Sequence, residues 1–493
     1  MTLFRRTTAS LVQSLGITGA TAILVVGVLA PSGLDSQIQA VLAVFLATVV
    51  LWITKPVPYE ISSVLCVVLL YVLGTAESFS QAASGFSDSL VFFLLLLLLL
   101  GKSVSKVGLD EWVANRLTTA TSTPRSSFWR LSSAILLLAF LMPSGMARAV
   151  AFMPVVDQIN ETYGLGDDSP FRRVGYFLVG HVNPMVSLAL MTGGGMSVLT
   201  AELIDSMVRP ITWIEWALFM APPVVALYVG IVLTSSRLFS IGDTVTVTPT
   251  PERDATAATD GEAAGGSAGD SLETDAVSSQ PLSPDQRFVV TCLLFAISLW
   301  IVGSFVGIPT ILPAMIVVAI FSLPWYRIIT VDEFRTLSWG FLFLIGTMLS
   351  LIEVMQAVGA FDFVLGVVFS VVPADSHTAV VLAILFLFAI GLRSSFSSIA
   401  AAILILFPVF VEFAAVLEIN ALFLSFTLLL VLAATIIFPF NFSTVLIAYE
   451  RGPLSLLEVT LLGLLTLAFA TLVATLSWLL YWPVLETLTS GLF

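Results

Sequence analysis

Apolar runs of about 20 residues, the length an α-helix needs to cross a hydrocarbon core, follow one another from end to end of this chain, and several are broken in the middle. The breaks are Pro143-Ser144-Gly145, Thr192-Gly193-Gly194-Gly195, Arg393-Ser394-Ser395-Phe396-Ser397-Ser398 and Pro439-Phe440-Asn441-Phe442-Ser443-Thr444. Backbone at membrane depth must satisfy its own N–H and C=O groups. Non-helical segments are therefore tolerated there only where protein buries them or where they line a cavity. Two breaks in each half, in the same order, imply one central site built from both halves. The halves also repeat each other. Leu51-Trp52-Ile53 recurs as Leu299-Trp300-Ile301, and Pro154-Val155 as Pro408-Val409. The run opened by Arg209-Pro210-Ile211-Thr212-Trp213-Ile214-Glu215 has its counterpart at Arg451-Gly452-Pro453-Leu454-Ser455-Leu456-Leu457-Glu458. An internal repeat in a hydrophobic chain is the mark of a secondary transporter.

Composition fixes the broad class. Of 493 residues, 58% are hydrophobic and 10% charged, where a soluble domain carries about 25% charged residues. Leu94 to Leu100 is unbroken leucine, which excludes the alternating pattern of a β-barrel. The chain reads as an all-α polytopic membrane protein. Its net charge of −13 is drawn largely from one hydrophilic stretch and identifies no ligand; nothing points to a nucleic-acid partner. Cys66 and Cys292 lie in apolar spans and read as inert thiols, without a disulfide or metal site. Arg5-Arg6 precede an apolar run with no small-x-small cleavage site, so a retained first helix is expected.

Residues 244–286 are rich in Thr, Ala, Gly, Ser, Asp and Glu. They cannot bury enough apolar surface to offset the ordering entropy, and read as a disordered acidic cytoplasmic linker between a half at 1–243 and a half at 287–493. The first break in each half reads as the tip of a re-entrant hairpin (128–160 and 379–414). The second reads as an unwound point in a crossing helix (172–205 and 419–450). Each half then crosses an odd number of times, so two inverted-topology repeats are expected, with about 11 transmembrane helices plus two re-entrant hairpins. The positive-inside rule supports this arrangement. With the N-terminus in the cytoplasm, Arg5, Arg6, Lys55, Lys102, Lys106, Arg116, Arg125, Arg130, Arg172, Arg173, Arg237, Arg253, Arg287, Arg327, Arg335 and Arg451 fall on the cytoplasmic side. Arg209 falls outside, as does the C-terminus, while Arg148 and Arg393 sit at the hairpin tips.

Three stretches carry a family resemblance. They are Gly85-Phe86-Ser87-Asp88 running on to Lys106-Val107-Gly108-Leu109, then Pro143-Ser144-Gly145-Met146-Ala147-Arg148-Ala149, and then Ser443-Thr444-Val445-Leu446-Ile447-Ala448-Tyr449-Glu450-Arg451-Gly452. In order and spacing the chain resembles, over nearly its whole length, the divalent anion:sodium symporter family, which carries di- and tricarboxylates or sulfate. The resemblance implies an elevator-type transporter, a homodimer in the lipid bilayer of the cytoplasmic membrane, a small anionic substrate, and Na+ as coupling ion with no other cofactor. Each hairpin tip in that family carries Ser-Asn-Thr. Here the tips read Ser144-Gly145-Met146 and Ser398-Ile399-Ala400, and Val445 stands where an Asn is usual. Sodium is a hard cation that wants oxygen ligands. By resemblance it is left with Ser144, Gly193, Ser398 and backbone carbonyls.

The candidate substrate-binding set is Ser144, Gly145, Arg148, Thr192, Gly193, Gly194, Arg393, Ser398, Asn441, Ser443 and Thr444. An ionisable residue inside a membrane segment is costly and marks function by default, and an Arg fork suits a carboxylate. The alternative for Arg148 and Arg393 is capping of hairpin carbonyls or snorkelling. Thr192 to Gly195 offer bare backbone where helix ends hold ions of either sign, or else close helix packing. Asn441, Ser443 and Thr444 occupy the equivalent place in the second half. His181, beside Asn183-Pro184, reads as packing, and Thr212 with Glu215 and Ser455 with Glu458 read as capping boxes. The expected function is cation-coupled secondary active transport of a small organic dianion or similar oxyanion. A sodium-independent exchanger or exporter, a proton-coupled carrier and a transport-inactive homologue remain as alternatives. Neither histidine accompanies a Gly-x-Ser-x-Gly elbow, so no enzyme is expected.

Overall fold

The computed structural model describes residues 2–31, 33–117, 123–141, 144–241, 281–371 and 377–489. The first half holds α1 (Thr2–Leu29), α2 (Ser36–Thr54), α3 (Tyr59–Val72), α4 (Phe79–Ala82), α5 (Ser89–Lys106), α6 (Leu109–Leu117), α7 (Pro124–Leu141), α8 (Gly145–Thr162), α9 (Pro170–Phe177), α10 (Asn183–Val186), α11 (Gly195–Met207) and α12 (Trp213–Leu238). The second holds α13 (Pro284–Val306), α14 (Ile311–Phe321), α15 (Val331–Arg335), α16 (Trp339–Ala357), α17 (Ala360–Val371), α18 (Thr378–Ser395), α19 (Ile399–Val416), α20 (Ala421–Ala434), α21 (Ser443–Arg451), α22 (Leu456–Leu476) and α23 (Trp482–Thr489). Among the described residues there is no strand. Among the described residues, eight helical stretches are long and apolar enough to cross a membrane, and four shorter ones are apolar. The protein is a multi-pass membrane protein. The linker is outside the described residues up to 280, and its last residues already belong to the second half: Ser283 and Gln286 form a capping box that starts α13 at Pro284.

Local sequence explains where the helices start. Asp35 accepts from the Gln37 amide ahead of α2, and Thr212 from the Glu215 amide ahead of α12. Ser455 and Glu458 close a capping box ahead of α22. Each satisfies N–H groups that a helix start leaves unpaired.

Two faces of the bundle can be told apart by contacts. Lys106 at the end of α5 pairs with Glu333 of α15 at 2.8 Å and donates to the Arg327 carbonyl. Gln286 of α13 donates to the Val107 carbonyl, and Glu60 at the start of α3 packs on Gly340 at the start of α16. The ends of these helices share one face, here called the Lys106 face. At the opposite end, a cavity of about 430 Å³ is lined by Ser89, Glu202, Asp205, Trp213, Trp300 and Gly307 among others. Trp213 and Trp300 stack there with ring planes 8° apart.

Candidate functional site

The helices are broken at the four places that carry polar residues. At the first hairpin, α7 ends at Leu141 and α8 restarts at Gly145, with Pro143 outside the described residues. Ser144 caps α8 by accepting from the Ala147 amide at 3.2 Å. One turn into α8, Arg148 is 0% exposed. Its guanidinium reaches the interrupted helix, donating from Nε to Asn183 Oδ1 at 2.7 Å, and from Nη2 to Ser187 Oγ at 2.5 Å and to the Asn183 carbonyl at 3.2 Å. Asn183 returns the tie through Nδ2 to the Gly145 carbonyl at 2.7 Å. The first tip is thus stapled to the interrupted helix from both sides.

That helix is interrupted over a longer stretch than Thr192 to Gly195. It passes from α9 into a π-turn at Leu178–Val182, the short α10, a 3-10 turn at Ser187–Ala189, extended Leu190 and a second 3-10 turn at Met191–Gly193 before α11. Gly193 is required by contact: a Cβ there would collide with the Ser187 carbonyl oxygen. Thr192 Oγ1 is taken by the Trp213 indole N–H at 3.0 Å, so this hydroxyl is held by α12.

At the second hairpin, α18 ends at Ser395 and α19 restarts at Ile399. Arg393, also 0% exposed, donates from Nη1 to the Phe396 carbonyl at 2.7 Å and from Nη2 to the Asn441 carbonyl at 2.8 Å. Its Nε has no hydrogen-bond partner. Asn441 donates to the carbonyls of Ser394 and Phe396 at 2.8 and 3.0 Å, and its Oδ1 accepts from the amides of Ile437 and Phe438. This second staple satisfies carbonyls that a hairpin tip leaves without helical donors. Ser398 starts α19 without a side-chain cap, and Ser443 is exposed at the start of α21.

The two halves meet through Thr444, whose hydroxyl donates to the Gly180 carbonyl at 2.7 Å inside the first-half π-turn. Gly145, Arg148, Gly193 and Gly194 gather around Ser187 and Asn183, while Ser144 packs on Gly101 of α5. Arg393 and Asn441 gather around the second tip. Among the described residues no hydrogen bond joins Ser144, Gly193 and Ser398 to one another. Near the first tip, neutral oxygens of the kind sodium takes are those of Ser144 Oγ and the carbonyls of Gly145, Ser187 and Leu190. The Ser187 and Leu190 carbonyls each accept one hydrogen bond and keep a second lone pair, whereas the Gly145 carbonyl accepts from Asn183 Nδ2 and also opens the helical bonding of α8. The residues fit a sodium ion in chemistry.

Sequence reading noted Asn183-Pro184 without giving Asn183 a role, and missed Ser187 altogether. An Asn-Pro inside an apolar span was the available signal. His181 is 0% exposed and packs on Phe177 with ring centroids 5.3 Å apart.

Among curated proteins, the chain is 25% identical over 224 residues to a Cupriavidus necator protein named only "Membrane protein", covering 42% of this chain and 44% of that one. It is 27% identical over 217 residues to an L-tartrate/succinate antiporter of Shigella dysenteriae, covering 39% and 44%. It is 25% identical over 296 residues to a chloroplastic dicarboxylate transporter 2.2 of Arabidopsis thaliana, covering 58% and 50%. The chain spans about half the length of these relatives, or less. The family model described as the sodium:sulfate symporter transmembrane region matches residues 10–488, nearly the whole chain, and the chain belongs to that family.

Proposed function

We propose that the protein is a secondary transporter that moves a small dicarboxylate across the cytoplasmic membrane, driven by a coupled cation. The observation that carries this reading is the buried Arg393 at the second tip. Among the described residues it has no carboxylate partner and an unfilled Nε. A guanidinium kept out of water without a counter-ion costs several kcal/mol, and an arriving dianion offsets that cost. Arg148, tied down by Asn183 and Ser187, adds a second fixed positive charge, and the hydroxyls of Ser144, Ser398 and Ser443 lie at the breaks. The names of the relatives support a dicarboxylate, and the family supports sodium as the ion. In this reading the N-terminus and linker are cytoplasmic, the C-terminus is outside, the halves are inverted repeats, and the hairpins with the interrupted helices move as one elevator body in a homodimer.

The test is uptake of labelled succinate or sulfate into proteoliposomes with and without an inward sodium gradient. Uptake of succinate, stimulated by sodium, is expected; absence of uptake under either condition would overturn the proposal. A second reading, sodium-independent exchange, draws on Gly145 and Ile399, which bring no side-chain oxygen to the tips. It predicts uptake that follows internal succinate and ignores the sodium gradient.

A further inference from the structure

Tyr59 lies on α3, outside all four interrupted segments, and its hydroxyl is 3.1 Å from Ser397 Oγ at the second hairpin tip. Residues 59 and 397 belong to opposite halves of the chain, and this hydrogen bond ties the tip to a helix that is otherwise packed on α2 and α16. We propose that Tyr59 is a positioning residue that latches the second tip in the conformation seen here; the inference rests on the proposed movement of the hairpins against the remaining helices.

Three observations converge on it. Tyr59 is the first residue of α3, so its contact with Ser397 places the second tip toward the Lys106 face. The first tip lies toward the same face: Ser144 packs on Gly101 of α5. At 1.5 Å per residue, Gly101 is about 8 Å from the Lys106 end of α5 and about 18 Å from its Ser89 end. The larger open volume, about 430 Å³, is at the other end, in the cavity lined by Glu202, Asp205 and Trp300; a smaller one of about 190 Å³, lined by Asp110, Val150, Pro154 and Gln158, lies on the Lys106 side of the first tip. Both tips are therefore displaced toward one face while the larger of the two cavities lies at the other, as expected for one end state of an alternating cycle. The latch residue is itself held, because the Lys55 ammonium sits 4.6 Å from the centre of the Tyr59 ring. The contact also adjoins the buried Arg393 through Phe396, whose carbonyl receives the guanidinium. A substrate carboxylate that drew Ser397 away would release the tip from α3.

The test places a reporter cysteine at Ser398 in a background in which Cys66 and Cys292 are alanine. A membrane-impermeant maleimide is applied separately from each side of oriented proteoliposomes. The unmodified latch should give faster labelling from the Lys106 side. Tyr59→Phe and Ser397→Ala should each shift the ratio of the two rates toward the opposite side by about two- to tenfold, the range one hydrogen bond spans. The double variant should shift it no further than either single one, because both remove the same bond. An unchanged ratio in Tyr59→Phe, or additive shifts in the double variant, would overturn the latch. Tyr59→Phe keeps the ring and its packing on Lys55, so folding is retained in the decisive arm. Succinate uptake is measured in parallel on chains that keep Ser398, Cys66 and Cys292, with and without Tyr59→Phe. Failure of all uptake with a shifted ratio would sink the substrate assignment and leave the latch standing.

Discussion

At the first tip the buried arginine follows the break, on the second arm of the hairpin; at the second tip it precedes the break, on the first arm. The asparagines are displaced too. Asn183 lies upstream of the glycines of its interrupted helix, whereas Asn441 lies inside the break of its own. Both arrangements nonetheless tie a hairpin tip to an interrupted helix. Breaks at membrane depth leave N–H and C=O groups without helical partners, and any long donor fork and amide that reach them will serve. The two staples also differ in what they satisfy. Arg148 ends on two side-chain oxygens and a carbonyl, Arg393 on two carbonyls with Nε left over.

The largest expected effect tests the first staple. Arg148→Ala leaves Asn183 Oδ1 and Ser187 Oγ without their donor in a buried site, at about 1–3 kcal/mol for each group left unsatisfied, and should destabilise the protein by that much and abolish uptake. Thermal unfolding in detergent and succinate uptake read the two losses. Arg148→Lys keeps the charge but loses the fork, and should retain part of both. Wild-type stability in Arg148→Ala would show that the first tip holds without its arginine, and would end the equivalence of the staples.

Next come the asparagines. The Asn441 side chain makes four hydrogen bonds, all with backbone; the Asn183 side chain makes two, accepting from the Arg148 guanidinium and donating to the Gly145 carbonyl. At roughly 1 kcal/mol per neutral bond and about 1.5–3 kcal/mol for the charge-assisted one, Asn441→Ala should cost more unfolding free energy, about 4 kcal/mol, than Asn183→Ala, at about 2.5–4 kcal/mol. Equal losses would mean that the second break relies on backbone packing instead.

Much of this architecture was legible in the sequence. Pro143 to Gly145, the glycines after Thr192, Ser394 to Ser398 and Pro439 to Ser443 interrupt apolar periodicity, and the chain has no other way to place such residues in a bilayer. The capping pairs at Thr212 and Ser455 marked helix starts because a hydroxyl followed three residues later by Glu has one local use. Partner choice was not legible. Arg148 reads equally well as a ligand fork or as a structural tie, and Ser187 is an unremarked serine in an apolar span until folding places it beside Arg148. Nor does the sequence reveal Tyr59 against Ser397, which depends on how α3 packs against a hairpin from the other half. The first interrupted helix is also broken earlier than its glycines imply, because the π-turn at Leu178–Val182 arises where Gly180 packs on Ala448 and receives Thr444.

A smaller effect tests the junction of the halves. Thr444→Val keeps shape and removes the hydrogen bond to the Gly180 carbonyl, at a cost of about 1 kcal/mol in thermal unfolding. A neutral result would mean that packing of Gly180 on Ala448 suffices to join the two interrupted helices.

The smallest effect lies away from both tips, at the Lys106 face. Burial raises the Glu333 carboxyl, but the Lys106 ammonium and the Thr330 hydroxyl and amide outweigh it and hold the group down to about 2 from its ordinary 4.5. Because the folded value is depressed, this contribution is fully present above pH 4.5 and is lost as pH falls toward 2. Unfolding scans between pH 5 and pH 3 should show a modest loss that Lys106→Met removes. A pH response unchanged by Lys106→Met would assign the loss to other carboxylates.

The most direct measurement is succinate uptake per folded transporter, with Asn183→Ala and Asn441→Ala assayed beside the wild type in the same proteoliposomes. If the two staples hold the tips where a dianion is carried, both variants should lose at least about tenfold in uptake while still folding, because small misplacements of binding groups cost large factors in rate. Uptake at the wild-type rate in either variant would contradict the account and leave that staple as scaffolding alone.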